Sequence, residues 1–179
     1  MTDSRLLIKE TFVRLYADVS FERMNIKELC LAVPVARTTF YQHYDSLGDV
    51  KSEIEDGLIE GILKLDEDTG EKGKVDDELK AYFDKVLDYI KENREVNKAF
   101  LVTHPNLSYI SKWKEAIKLH FKNRFPEKTG IPNYGLISEV IACAVLGAYT
   151  YWMEHPDEMD AGRITEIAVK ALGLLGEII

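Results

Sequence analysis

Between Arg37 and Tyr44 the chain reads Arg-Thr-Thr-Phe-Tyr-Gln-His-Tyr, in which seven of eight side chains can hydrogen-bond and Phe40 alone cannot. Guanidinium and amide groups can address base edges bidentately, and hydroxyls or an imidazole can donate to phosphate oxygens. At helical spacing Arg37, Thr38, Tyr41 and Gln42 project from one side, while Phe40 and Tyr44 fall on the other. A purely structural turn has no need of so many adjacent donors. The competing reading has Tyr41 and His43 packing against the next helix.

No other constellation offers chemistry of comparable density. The four histidines, His43, His104, His120 and His155, are scattered without ligand-like spacing, and no phosphate-binding glycine loop, Gly-x-Ser-x-Gly elbow or His-Glu-x-x-His pair occurs. We therefore expect no enzyme, no metal site and no cofactor. Cys30 and Cys143 each sit in an apolar stretch and read as small buried hydrophobes, in keeping with a reducing, cytoplasmic setting.

Composition narrows the class further. A chain of 179 residues with 46% hydrophobic content can bury a continuous core. Met1 to Leu7 lack the pattern of a secretion signal, and the longest uncharged stretch, Val140 to Met153, falls short of the roughly 18 to 20 residues a membrane span requires, so no membrane partner is expected. The formal net charge of −8 has the wrong sign for bulk attraction to nucleic acid, so any such contact must rest on local geometry.

The elements that must position the run are helical throughout. Ile8, Phe12, Leu15, Tyr16 and Val19 recur at three- and four-residue steps, predicting a first helix over Asp3–Val19. Asn25 with Glu28 can cap a short second helix, which must stop near Val33 because Pro34 follows. A third helix spans Arg37–Tyr44. Ser46 and Asp49 open a fourth, with Val50, Ile54, Leu58 and Ile62 at every fourth position. Residues 66–74 are polar, charged and glycine-containing, and read as a linker. Helical segments follow at about 76–93, 96–104 and 106–125, then a turn through Pro126 to Pro132, then apolar helices at about 134–154 and 160–178. The fold class is thus all-α with about nine helices. Residues 1–46 form a three-helix helix-turn-helix domain, 46–65 a connecting helix, and 66–179 a helical C-terminal domain.

The segment from Leu29 to Tyr44, above all Thr39-Phe40-Tyr41-Gln42-His43-Tyr44, resembles the helix-turn-helix of TetR/AcrR-type transcriptional regulators, and the likeness covers about 60 residues from the first helix into the fourth. The resemblance implies a homodimer whose paired third helices enter successive major grooves of a palindromic operator in double-stranded DNA. It also implies a variable C-terminal domain that dimerises and often senses a small molecule, and a repressor is the expected output. An effector would act by reorienting the fourth helices. By the same resemblance Arg37, Thr38 and Gln42 match groove-facing positions and Thr39, Tyr41 and His43 phosphate-contacting ones; Lys51 is placed with them as a DNA contact. The chain departs from the family at three positions: Pro34 stands where the turn usually has Gly, Ala36 replaces the usual Ser or Thr cap, and Leu47 replaces a common basic residue. Basic and acidic residues balance between Asn25 and Lys51, which predicts few phosphate contacts and a shallow salt dependence.

In the last third, Ala144, Gly147, Ala148 and Tyr151 with Ala168, Leu172 and Leu175 form small-residue and apolar surfaces suited to a four-helix dimer interface, the competing reading being an intramolecular core. Tyr82, Tyr89, Phe100, Trp113, Tyr149 and Trp152 could line a pocket for an apolar or aromatic effector, or fill an ordinary core. The basic run Lys112, Lys114, Lys118, Lys122, Arg124 and Lys128 reads as a solvated face, with an acidic partner or anionic effector as the alternative. A co-regulatory protein-interaction module that has lost or weakened DNA reading is the second functional reading of the whole chain.

Overall fold

A computed structural model of the chain describes residues 3–67, 75–158 and 160–176, and no strand occurs among them. In order come α1 (Ser4–Asp18), a 3₁₀ turn (Phe21–Arg23), α2 (Ile26–Ala32), α3 (Arg37–His43), α4 (Leu47–Glu67), α5 (Val75–Glu92) and α6 (Arg94–Lys98). A π-helical turn (Ala99–Thr103), α7 (Leu107–Arg124), a second 3₁₀ segment (Pro126–Gly130), α8 (Tyr134–Glu154) and α9 (Ala161–Gly176) complete the chain.

The capping residues start the helices where the sequence places them. Asp3 accepts from the Arg5 N–H at the head of α1, and Asn25 from the Glu28 N–H at the head of α2. Ser46 and Asp49 cap α4 reciprocally: the Asp49 N–H donates to Ser46 Oγ at 3.3 Å and the Ser46 N–H donates to Asp49 Oδ2 at 2.8 Å. Asn133, at φ 61°, is the one non-glycine residue of positive φ among those described, and it turns the chain into α8.

Two compact units result. The first comprises Met1–Leu58 with Glu95–Pro105, and the second Ile59–Arg94 with Asn106–Ile179. The linker expected over 66–74 lies outside the described residues from 68 onward, and the division between units falls within α4. Residues 95–105, expected in the C-terminal domain, are part of the first unit instead. The reason is specific packing: the fully buried Phe100 ring meets Tyr16 edge-on at 4.7 Å, and the Tyr16 hydroxyl donates to the His104 carbonyl at 3.0 Å. The π turn accommodates this, with the His104 N–H reaching back five residues to the Ala99 carbonyl.

In the second unit α7 packs along α8, α5 along α9, and α8 against α9. α8 is long and apolar enough to cross a membrane by length and composition, at a mean hydropathy of 1.4, yet Ala142, Val145, Tyr149, Trp152 and Met153 on one side of it are buried as core. Its Glu139 joins α7 by accepting from Lys114 and Lys118, so two members of the basic run are paired within the protein. Those two ammonium groups hold the Glu139 carboxyl down to about 2. Gly61 on α4 lies against the Tyr89 ring of α5, where a β-carbon would overlap the phenol. Gly61→Ala is expected to destabilise the second unit by about 1–3 kcal/mol despite alanine's higher helix propensity, read as a lowered urea midpoint.

Candidate nucleic-acid interface

The candidate interface is built on a seven-residue helix that could not persist alone. α3 is held by Phe40, which is fully buried, and by Tyr44 one turn on, whose ring lies 5.9 Å from that of Phe40. α1 and α2 both pack on α3 and contribute the buried side chains Ile8, Phe12, Tyr16 and Leu29. Phe40 and Tyr44 are buried on the side the spacing predicted, together with Leu29, Phe12 and Tyr16.

With Phe40 pointing inward, Arg37, Thr38, Tyr41, Gln42 and His43 are all exposed, and Thr39 is half-buried. Tyr41 retains 56% of its accessible surface although its ring edge touches Phe40. Six of the seven residues named from the sequence therefore come together on one short helix. Lys51 is different. Its ammonium lies 4.7 Å over the Phe21 ring and 3.7 Å from the Glu55 carboxylate, an internal engagement that competes with any phosphate.

Sequence reasoning missed the first turn of α1. Ser4 Oγ and His43 Nε2 lie 2.9 Å apart, and the Arg5 guanidinium sits 5.8 Å from the centre of the Tyr44 ring, so this turn borders the C-terminal end of α3. Arg5 and Lys9, four residues apart, both reach Glu53 of α4. Their spacing was visible in the chain; their partner, 48 residues from Arg5, was not.

The turn between α2 and α3 solves the problem posed by Pro34 without a left-handed residue. Val33 ends α2 in extended conformation, and the Val35 N–H donates to the Val33 carbonyl at 2.7 Å, a γ-turn centred on the proline. Ala36 then occupies the cap of α3 with extended backbone and no side-chain hydrogen bond.

Residues 77–172, more than half of the chain, match the family model of a TetR-type C-terminal domain, whose description is transcriptional regulator C-terminal region. The chain belongs to the TetR family of transcriptional regulators. Solved TetR-family structures share its fold at low identity. A TetR transcriptional regulator from Streptococcus agalactiae 2603V superposes with a TM-score of 0.71 at 15% identity, covering 93% of this chain and 92% of that one. A TetR-family regulator from Streptomyces coelicolor gives 0.75 at 11% identity, covering 97% and 83%. A regulator of the same family from Aquifex aeolicus VF5 gives 0.68 at 18%, covering 97% and 99%. No curated protein matches the chain significantly by sequence. TetR regulators bind DNA, usually act as dimers and are generally not enzymes.

The unsatisfied cap of α3 is testable in this TetR protein. Ala36→Ser, at a cap residue with φ −66° and ψ 149°, is expected to stabilise the first unit by about 1 kcal/mol in urea unfolding, because the new hydroxyl can accept from a free N–H of the first turn.

Proposed function

We propose that this TetR-family regulator is a cytoplasmic homodimer that reads a palindromic operator through α3 and represses until a small apolar or aromatic effector releases it. The observation that carries the reading is the division of α3 by Phe40: the one apolar residue of its central turn is wholly buried, and the donors around it face outward. In this reading Arg37, Thr38 and Gln42 address base edges, and Thr39, Tyr41 and His43 address phosphates. Lys51 has the weakest support, since it is already engaged by Phe21 and Glu55.

The dimer is supported by an apolar stripe left exposed on α8. Leu136, Val140, Ala144, Gly147 and Tyr151 recur at three- and four-residue steps along it, with Cys143 beside them, and Ile167 is exposed on the neighbouring α9. Ala148 and Ala168 are half-buried, and the side chains of Leu172 and Leu175 lie outside the described residues. Leu136 and Val140 extend the stripe beyond the residues the sequence suggested. For the effector, support comes from the buried aromatic cluster of the second unit. There Trp113 lies 6.1 Å from Tyr149 with its indole N–H buried and unpartnered, Tyr82 stacks on His120, and Trp152 is buried. Tyr89 is half-buried over Gly61, and Phe100 belongs to the first unit against Tyr16, so neither adds to that support.

A co-regulatory protein-interaction module is the second reading, and Leu31, 77% exposed on α2 beside the exposed Pro34, favours it. Selection of bound fragments from the source genome, followed by mobility shifts, separates the two. Arg37→Ala and Gln42→Ala are each expected to weaken binding to the selected operator by about 1–3 kcal/mol, with relaxed preference at one position of each half-site. If dimeric protein selects no fragment, the DNA reading fails and the interaction module stands. The dimer surface has its own test. A β-carbon at Gly147 meets nothing within 4 Å, so Gly147→Glu leaves the subunit intact while placing a charge in the proposed interface. It is expected to sediment as a monomer, and a dimer of unchanged stability would exclude this surface.

A further inference from the structure

We infer that Glu53 limits the strength and salt dependence of DNA contact by holding Arg5 and Lys9, two cations on α1 at the border of α3, in an internal ion triad. This deepens the proposed DNA reading and rests on it. Arg5 donates twice to Glu53 Oε2, from Nε at 3.0 Å and from Nη2 at 2.6 Å, and Lys9 Nζ lies 3.0 Å from Oε1. Both carboxylate oxygens are thus committed.

The triad borders the C-terminal end of the proposed reading helix. Ser4, next to Arg5, contacts His43 on α3, and the Arg5 guanidinium lies over the Tyr44 ring at the end of the same helix. Arg5 keeps 52% of its side-chain surface, so it is within reach of an anion approaching Gln42 and His43. Lys51, the α4 cation assigned to DNA contact from the sequence, is drawn toward Glu55 and Phe21. A phosphate arriving here meets two positive groups of which one charge is already offset, and must compete with a carboxylate for their hydrogens. Partial burial pushes the Glu53 carboxyl up, but the hydrogen bonds from Arg5 and Lys9 outweigh it and hold the group below its ordinary value, so it is ionised at neutral pH. Without Glu53, Arg5 and Lys9 stand four residues apart on α1 as an uncompensated like-charged pair, which a phosphate would satisfy.

The experiment titrates the full-length protein against a fluorescently labelled duplex of mixed sequence and follows anisotropy between about 50 and 200 mM salt. Glu53→Gln is expected to bind more tightly and to steepen the slope of log K against log salt by about 1 to 2, because each newly neutralised phosphate contributes about 0.9. Adding Arg5→Gln is expected to weaken binding several-fold more in the Glu53→Gln background than in the parent, a difference that a merely structural triad would not produce. If Glu53→Gln melts early by circular dichroism, Glu53→Ala gives the same readout. A parent that binds the duplex while both Glu53 variants keep its slope overturns this inference alone. Failure of parent and variants alike to bind at low salt overturns the DNA reading as well.

Discussion

Burial of Phe40 is the constraint on which the arrangement of the helix-turn-helix unit depends. α3 has seven residues, no side-chain cap and a proline three residues before its first turn, so local propensity cannot hold it. What holds it is the packing of one aromatic ring among side chains of α1 and α2. Because successive helical residues are rotated by about 100°, fixing Phe40 inward also fixes Arg37, Thr38, Tyr41 and Gln42 outward. Core and candidate interface are therefore consequences of one orientation, and a change that loosens the first disturbs the second.

That small core is completed from a distant part of the chain. Phe100 and the His104 carbonyl close on Tyr16, and Tyr16 lies 5.8 Å from Phe12 in a stacked pair. The π turn over Ala99–Thr103 is the local irregularity that lets Phe100 and the His104 carbonyl both reach the same tyrosine. A three-helix unit of fewer than 60 residues buries little apolar surface by itself, and the added segment supplies more.

Charge is managed locally throughout. The chain is acidic overall, and several of its cations are matched to carboxylates across helices: Arg5 and Lys9 to Glu53, Lys114 and Lys118 to Glu139. Such partly exposed pairs are screened by solvent and contribute modestly to stability. Their consequence is electrostatic: they lower the positive potential around the cations they hold.

Much of this was legible in the order of residues. Caps at Asn25 and Ser46, the stop before Pro34, the limits of α8 and the inward face of Phe40 all follow from interactions within a few positions, which is why periodicity and capping rules found them. The Thr-Phe-Tyr-Gln-His-Tyr run likewise carries the family resemblance in residue order alone. What the sequence could not disclose were pairings that local rules do not reach: Glu53 between Arg5 and Lys9, Lys51 folded onto Phe21, Gly61 under Tyr89, and residues 95–105 returning to Tyr16. A side chain's near neighbours along a helix are set by a repeat of 3.6 residues, whereas partners in distant segments are chosen only when the helices pack and compete for the same groups. Residue order therefore determined which helix carries the donors and which way they point, and the tertiary structure decided which of the nearby charges remain available to them.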